Sequence, residues 1–277
     1  MERIDAHQHF WRYSPATHGW IDERMNILKR DFLPADLKPS LDFCHIDGCV
    51  AVQAESSTNE TRWLLHLSEE NPWIRGVVGW VDLCSPNVAT DLRELSQNAK
   101  FKGVRHIVQS EPDDRFLLRP DFCRGISTLA EFGLTYDILI YPKQLPAALE
   151  FVSRFPLQKF MIDHLAKPAI GLDSSQPWER QMSAMAKFPN VYCKISGLVT
   201  ETTWDRWKAS DFDYYINTIY QTFGPERMVF GSDWPVCTLA ASYPAVHGIV
   251  DFFFLSRPDA ERSLVFGGNA SRFYELS

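Results

Sequence analysis

The stretch RGVVGWVDLCSPNVATDLRELSQNAKFKGVRHIV, residues 75–108, decides the fold. Residues 75–81 (RGVVGWV) are a short valine-rich run of strand character. Residues 89–99 (ATDLRELSQNA) carry apolar side chains at helical spacing, and 102–108 (KGVRHIV) is strand-like again. A strand, a helix and a second strand in so short a span imply parallel pairing through a right-handed crossover.

The same alternation extends in both directions. Strands are expected at 3–9, 48–54, 75–81, 102–108, 135–141, 159–164, 191–196 and 227–233. Helical patterns lie between most of them, at 59–72, 89–99, 123–133, 142–156 and 178–189. Gly or Pro closes several of these before the next strand, as in TLAEFG and MAKFPN. Eight such units predict an α/β protein, a (β/α)8 TIM barrel spanning 1–277 as one domain. The rival is an open doubly wound sheet. It lacks its usual signatures here, since neither G-x-G-x-x-G after a strand nor G-x-x-x-x-G-K-[ST] occurs.

Composition agrees with a large buried core: 45% hydrophobic and 23% charged residues in 277. A net charge of -7 with no basic stripe argues against a nucleic-acid partner. No apolar run is long enough to span a bilayer. Six scattered cysteines (44, 49, 84, 123, 193 and 237) form no C-x-x-C pair. They read as reduced thiols, and with no signal-peptide pattern near Glu2 and Arg3 the expectation is a cytoplasmic protein.

TIM-barrel active sites lie at the C-terminal ends of the strands. Polar residues gather there in this sequence: His7 and His9, Gln53 and Glu55, Arg105, His164, Lys194 and Asp233. His7 and His9 stand two apart and so share a strand face, as a metal site or polarising pair, or as two structural histidines. Asp5 has the same phase and is expected to hydrogen-bond beneath them and fix a tautomer. In VFGSDWPV (229–236), Asp233 ends a strand as a base, a metal ligand, or a helix cap. In MIDHLAKP (161–168), His164 ends another strand, while Asp163 alternates to the opposite face and reads as structural.

DAHQHFW, the strand-ending His164 and GSDWP together resemble the amidohydrolase superfamily. FWRY, GWIDERM, LKRDFLPADL, VQAES, KGVRH, IDHLAKP, CKISGL and GSDWPV resemble its sugar-lactonase branch, which includes L-fuconolactone and L-rhamnonolactone hydrolases and is related to pyrone dicarboxylate lactonase. The resemblance implies a hydrolase opening the ester ring of a sugar lactone, a small-molecule substrate. Binuclear members use a carboxylated lysine from strand 4 and a histidine from strand 5, and neither is matched here unless His106 turns inward. The expectation is therefore that no cofactor is required. The alternative is a mononuclear zinc hydrolase or decarboxylase holding one divalent metal on His7, His9, His164 and Asp233.

On that reading Asp233 takes a proton from water, and His7, His9 and His164 donate to the carbonyl oxygen as it becomes anionic. Glu55, Arg105 and Lys194 suit the hydroxyls of a sugar. Glu55 could instead pair with Arg105, and Lys194 could instead face the helix layer. Trp11, Trp20, Trp80 and Trp234 are candidate pocket walls, with 10–34 folding over the mouth as a lid.

Overall fold

Eight short strands, nearly all of whose residues are buried, follow one another around a single sheet in chain order. They are β1 (Ile4–Gln8), β2 (Gly48–Val52), β3 (Ile74–Gly79), β4 (Phe101–His106), β5 (Thr135–Ile138), β6 (Phe160–Ile162), β7 (Val191–Ile195) and β8 (Met228–Phe230). Each pairs in parallel with the next. The computed structural model describes residues 1–171 and 175–276.

The ring closes through backbone beyond the end of β8. The Asp233 amide donates to the His7 carbonyl at 2.8 Å, and the His9 amide donates to that of Trp234 at 2.7 Å. Closure thus juxtaposes the first and last strand-end candidates. Eight strands give an interior just wide enough for side chains to fill.

Helices α1 (Pro34–Phe43), α2 (Thr58–Glu70), α3 (Val88–Leu95), α4 (Pro120–Leu129), α5 (Leu145–Ser153), α6 (Ser175–Met185), α7 (Asp213–Phe223), α8 (Tyr243–Phe254) and α9 (Asp259–Ser263) follow the strands, with α10 (Asn269–Tyr274) last. The main apolar core lies between strands and helices, with Leu64, Leu92, Ile126, Phe151 and Ile216 buried in it. A second, smaller core fills the barrel below the site. Ile4, Ala6, Val50, Val52, Val78, Met161 and Val229 meet Phe273 and Tyr274 of α10 there. Lys102 and Lys159, at the starts of their strands, bond to Glu275, so the C-terminal segment plugs the lower end.

All eight strands stop one to three residues earlier than the sequence suggested, strands 5 and 8 by three. β6 ends at Ile162 because His164, Leu165, Ala166 and Lys167 take positive φ of 53°, 53°, 55° and 53°. Beyond β8, Asp233 does the same at 59°. None of these five residues is glycine, and such backbone costs about 1–2 kcal/mol per residue. Strain of this kind persists where the surroundings over-determine it, commonly at active sites. No helix among the described residues is long and apolar enough to cross a membrane.

Candidate active site

At the C-terminal end of the barrel, four side chains converge on one point. His7 Nε2 is 3.2 Å from His9 Nε2. Asp233 Oδ1 stands 3.4 Å from His9 Nε2, 3.8 Å from His7 Nε2 and 3.8 Å from His164 Nε2. All four side chains are buried or nearly so. The Asp233 carboxylate faces the histidines and does not cap the following segment.

Two glycines make room for this cluster. A Cβ on Gly231 would meet the His7 Cβ at 2.5 Å, and one on Gly197, itself at φ +64°, would meet the His164 ring at 2.5 Å.

Each imidazole is held from behind. His9 Nδ1 lies 2.8 Å from the carbonyl oxygen of Val52, which only accepts. Nδ1 therefore carries the proton, and a neutral His9 presents a bare Nε2 to the centre. His164 Nδ1 meets the Ser196 hydroxyl at 2.8 Å, a group that can donate or accept. His7 Nδ1 is 3.3 Å from Asp163 Oδ1 and 3.3 Å from Lys194 Nζ. Burial lowers the proton affinity of His7 and of His164 well below the ordinary histidine value, so both stand neutral near pH 7. Burial works against the Asp233 charge, but His164, His9 and Lys167 outweigh it and hold the carboxyl below its usual range.

Beneath the cluster lies a buried ionic array. Lys194 Nζ contacts Asp137 Oδ2 at 2.5 Å and Asp163 Oδ1 at 3.0 Å, all with no exposure. Arg105 Nη1 donates to Asp163 Oδ2 at 3.1 Å and stands 3.3 Å from His7 Nε2. The Arg105 Nε and Nη2 are taken by the Gln53 side chain at 3.0 and 2.8 Å. Burial opposes charge on Asp163, yet Lys194, His7 and Arg105 hold it well below the usual carboxylate range. Burial raises Asp137 to about 6 despite its lysine partner. The Tyr274 hydroxyl donates to Asp137 Oδ2 at 2.7 Å and ties the array to the plug below.

Above the cluster is a cavity of about 430 Å³, a size suited to a small ligand. Its walls include Trp11, Trp20 and Met25 from the segment after β1, Gln109 and Tyr141, Lys167 and Glu201, and Trp204. His9, Arg105, His164 and Asp233 reach its floor.

Comparisons with known proteins place the chain in a family. The amidohydrolase family pattern matches residues 4–276. The chain belongs to the amidohydrolase family. It is 41% identical to an L-fucono-1,5-lactonase of Burkholderia multivorans, covering 99% of this chain and 96% of that protein. A second L-fucono-1,5-lactonase, from Burkholderia ambifaria, is 37% identical over 99% of this chain and 96% of its own. A Burkholderia multivorans amidohydrolase solved with bound zinc superposes with a TM-score of 0.96 at 40% identity, each chain covered fully.

Within this amidohydrolase, the sequence-derived candidates separate into two groups. His7, His9, His164 and Asp233 come together, and Arg105, Trp11 and Trp20 line the cavity. Lys194 points into the barrel, not toward the helix layer, but lies fully buried below the cavity, where its charge serves Asp137 and Asp163. Glu55 pairs with neither Arg105 nor the cavity. Its Oε1 faces His18 Nδ1 at 3.6 Å, because Gln53 and Asp163 already occupy the Arg105 guanidinium. Trp80 donates to His106 Nδ1 at 3.2 Å, and Trp234 packs edge-on against Phe10 and Phe32, so neither forms a wall.

His106 does not turn inward. Its Nε2 meets Glu111 at 2.7 Å and its ring stacks on Phe116. β4 therefore offers the cluster an arginine where binuclear relatives place a lysine, and the end of β5 offers no histidine.

Two phase assignments change. Asp5 bonds the His7 amide, the Ser232 amide and the Tyr243 hydroxyl of α8, and touches no imidazole. The β1–β2 register shifts between Asp5 and Gln8, a span that includes His7, so strict alternation does not carry from Asp5 to the imidazoles. Asp163 lies inside the barrel with His164 because the left-handed turn that begins at His164 breaks alternation there too. Sequence reasoning passed over Lys167, Glu201, Gln109 and Ser196. Lys167 lay in the quoted IDHLAKP and Ser196 in CKISGL, but nothing in HLAKP announces a left-handed turn.

The donor set also suits a metal. Three imidazole nitrogens and a carboxylate oxygen form a typical zinc set, whose tetrahedral edges are about 3.3 Å for bonds of 2.0–2.1 Å. The separations of 3.2–3.8 Å given above are near that edge, but among the described residues the set that could share one ion is His7, His164 and Asp233, whose ligand atoms all lie within 4.8 Å of one another, and His9 does not join it.

Proposed function

We propose that this amidohydrolase is a lactonase that hydrolyses a sugar lactone, an aldono-1,5-lactone of the L-fuconolactone type. The observation that carries the reading is the ionised Asp233 Oδ1 set 3.4–3.8 Å from three imidazole Nε2 atoms on the floor of a cavity sized for a sugar ring. The two curated lactonases at 41% and 37% identity support it.

Ester hydrolysis requires a deprotonated water, donors at the carbonyl oxygen and a proton for the leaving alkoxide. Asp233 accepts the proton of water as it attacks the carbonyl carbon and later returns it to the ring oxygen as the C–O bond breaks. His7 and His164 are the neutral donors. Lys194 Nζ fills the Nδ1 of His7 and the Ser196 hydroxyl that of His164, which leaves Nε2–H on both rings, that of His164 at the cavity floor and that of His7 beneath it beside His9. Arg105 Nη1 places a fixed cation beside the same oxygen. His9 takes a different part from the one its sequence suggested. With Nδ1–H committed to Val52, its bare Nε2 accepts from the attacking water and orients it. Two cations already stand against His7, which supports turnover without a metal.

The spacing of the His7, His164 and Asp233 donor atoms favours a second reading, a mononuclear zinc enzyme, and the zinc-bound relative lends it weight. His7, His164 and Asp233 would hold the ion, with the His7 proton on Nδ1 toward Asp163. A zinc held there would polarise the ester carbonyl as a Lewis acid.

The test is a pH-indicator screen of aldonolactones of both ring sizes. Rapid hydrolysis of a 6-deoxyhexono-1,5-lactone is the expected result, and no turnover of any aldonolactone would overturn the reading.

A further inference from the structure

One polar wall of the cavity has no direct step in the chemistry above, its only link being the charge that Lys167 sets toward Asp233. It begins at the left-handed turn after β6, which aims His164 and Lys167 into the same cavity although they are three residues apart. Lys167 Nζ lies 3.0 Å from Glu201 Oε1, with the two side chains 16% and 19% exposed. The ammonium also stands 5.5 Å from the centre of the Tyr141 ring. On another loop of the same cavity, the Gln109 Oε1 is buried and finds no partner among the described residues.

A fully buried ion pair would serve packing alone, and a pair on the open surface would be lost to water. This one is largely desolvated yet opens into the ligand cavity, so each member keeps capacity for a further hydrogen bond. A carboxylate accepts from two neighbouring hydroxyls, an ammonium donates to a third oxygen, and an unpartnered amide oxygen needs a donor. That is the complement of a polyol. Because Lys167 shares its rigid turn with His164, the distance from the carbonyl-binding end to this wall is fixed by the backbone. Glu55, the acidic residue to which the sequence pointed for hydroxyl binding, faces His18 instead.

We propose that Lys167, Glu201 and Gln109 are the specificity-determining residues that read the hydroxyl groups of the lactone. The inference rests on the lactonase reading and deepens it. Glu201 accepts from a pair of adjacent ring hydroxyls, Lys167 donates to one of the same oxygens, and Gln109 Oε1 accepts from a further hydroxyl.

The experiment compares kcat/KM for aldono-1,5-lactones that differ in configuration at a single carbon, in the wild type and in Glu201→Gln, Lys167→Met and Gln109→Ala. Discrimination between the best lactone and its epimers is expected to fall about 10–100-fold in each variant, the range for losing a hydrogen bond to a charged or buried partner. An equal loss on every lactone, leaving the ratios within about threefold, would assign the three residues to structure and overturn the proposal. Failure of the wild type on all aldonolactones would defeat the lactonase reading and this inference with it, a separate result. Thermal melts confirm folding. If Lys167→Met does not fold, Glu201→Gln and Gln109→Ala, on other loops, decide the matter.

Discussion

The Nδ1 of His7 and the Oδ1 of Asp163 lie 3.3 Å apart with neither side chain exposed. Asp163 also meets Lys194 at 3.0 Å and Arg105 at 3.1 Å, so one carboxylate balances two buried cations beside a site histidine. Replacing it by its amide, Asp163→Asn, keeps the shape and removes the charge. Breaking a buried pair from one side costs about 3–5 kcal/mol. A fall in melting temperature on the order of 10 °C is expected. The surviving folded enzyme should lose about 10–100-fold in kcat, the usual effect of removing a partner behind a site ligand. A melting temperature within about 2 °C of wild type would show that the array does not balance through Asp163.

Asp233→Asn tests the proton acceptor. The amide cannot take a proton from water, and general-base catalysis contributes about 10²–10⁴ in rate. A loss of that size in kcat is expected with the fold intact by circular dichroism. A variant that keeps most of its turnover would remove Asp233 from the role of base.

How much of this could be read from the sequence follows from where backbone periodicity holds. The barrel could be read because strand and helix patterns alternate through the chain, and His7 and His9 because alternation holds between them. Alternation failed on either side of those regular stretches. The register shift between Asp5 and Gln8 left Asp5 away from the imidazoles, and the left-handed turn at His164 brought Asp163 inward. Positive φ at four consecutive non-glycine residues leaves no signature in composition, so the placement of Lys167 in the cavity could not be foreseen. Glu201 and Gln109 lie on loops whose course depends on the packed barrel. Lys194 was placed on the correct face, but its depth depends on Asp137 and Asp163, which only the closed barrel brings beneath it.

His247 makes a pH prediction away from the site. Burial, with Arg3 beside it and Arg262 and His45 nearby, lowers its imidazole to about 4, while Asp251 pulls the other way. Its Nε2 accepts from the Arg3 guanidinium at 2.7 Å. The unfolded chain therefore binds a proton near pH 6.5 that the folded chain refuses until about pH 4. The stability contributed by neutral His247 is complete above the unfolded value and is lost as pH falls through that window. Asp5, raised to about 6 by burial, acts with the opposite sign, so the informative quantity is the difference between wild type and His247→Gln. That difference in unfolding free energy should shrink steadily from about pH 6.5 to pH 4. A difference that does not change with pH would refute the assignment.

The two readings of the cluster place the proton of His7 differently, and metal removal separates them. Without a metal, Nε2–H faces the lactone and Lys194 fills Nδ1. A zinc would take Nε2 as a ligand, and Nδ1–H would then face Asp163. Arg105 Nη1 and Lys194 Nζ each stand 3.3 Å from a nitrogen of that ring, and two fixed cations disfavour a third charge there. Exhaustive dialysis against a strong chelator, followed by metal analysis, should therefore leave kcat/KM for the best aldonolactone within about twofold of the untreated enzyme. A loss beyond about tenfold, restored by one equivalent of zinc, would establish the mononuclear metal mechanism and recast Asp163 as the carboxylate that holds a zinc-bound histidine in its tautomer.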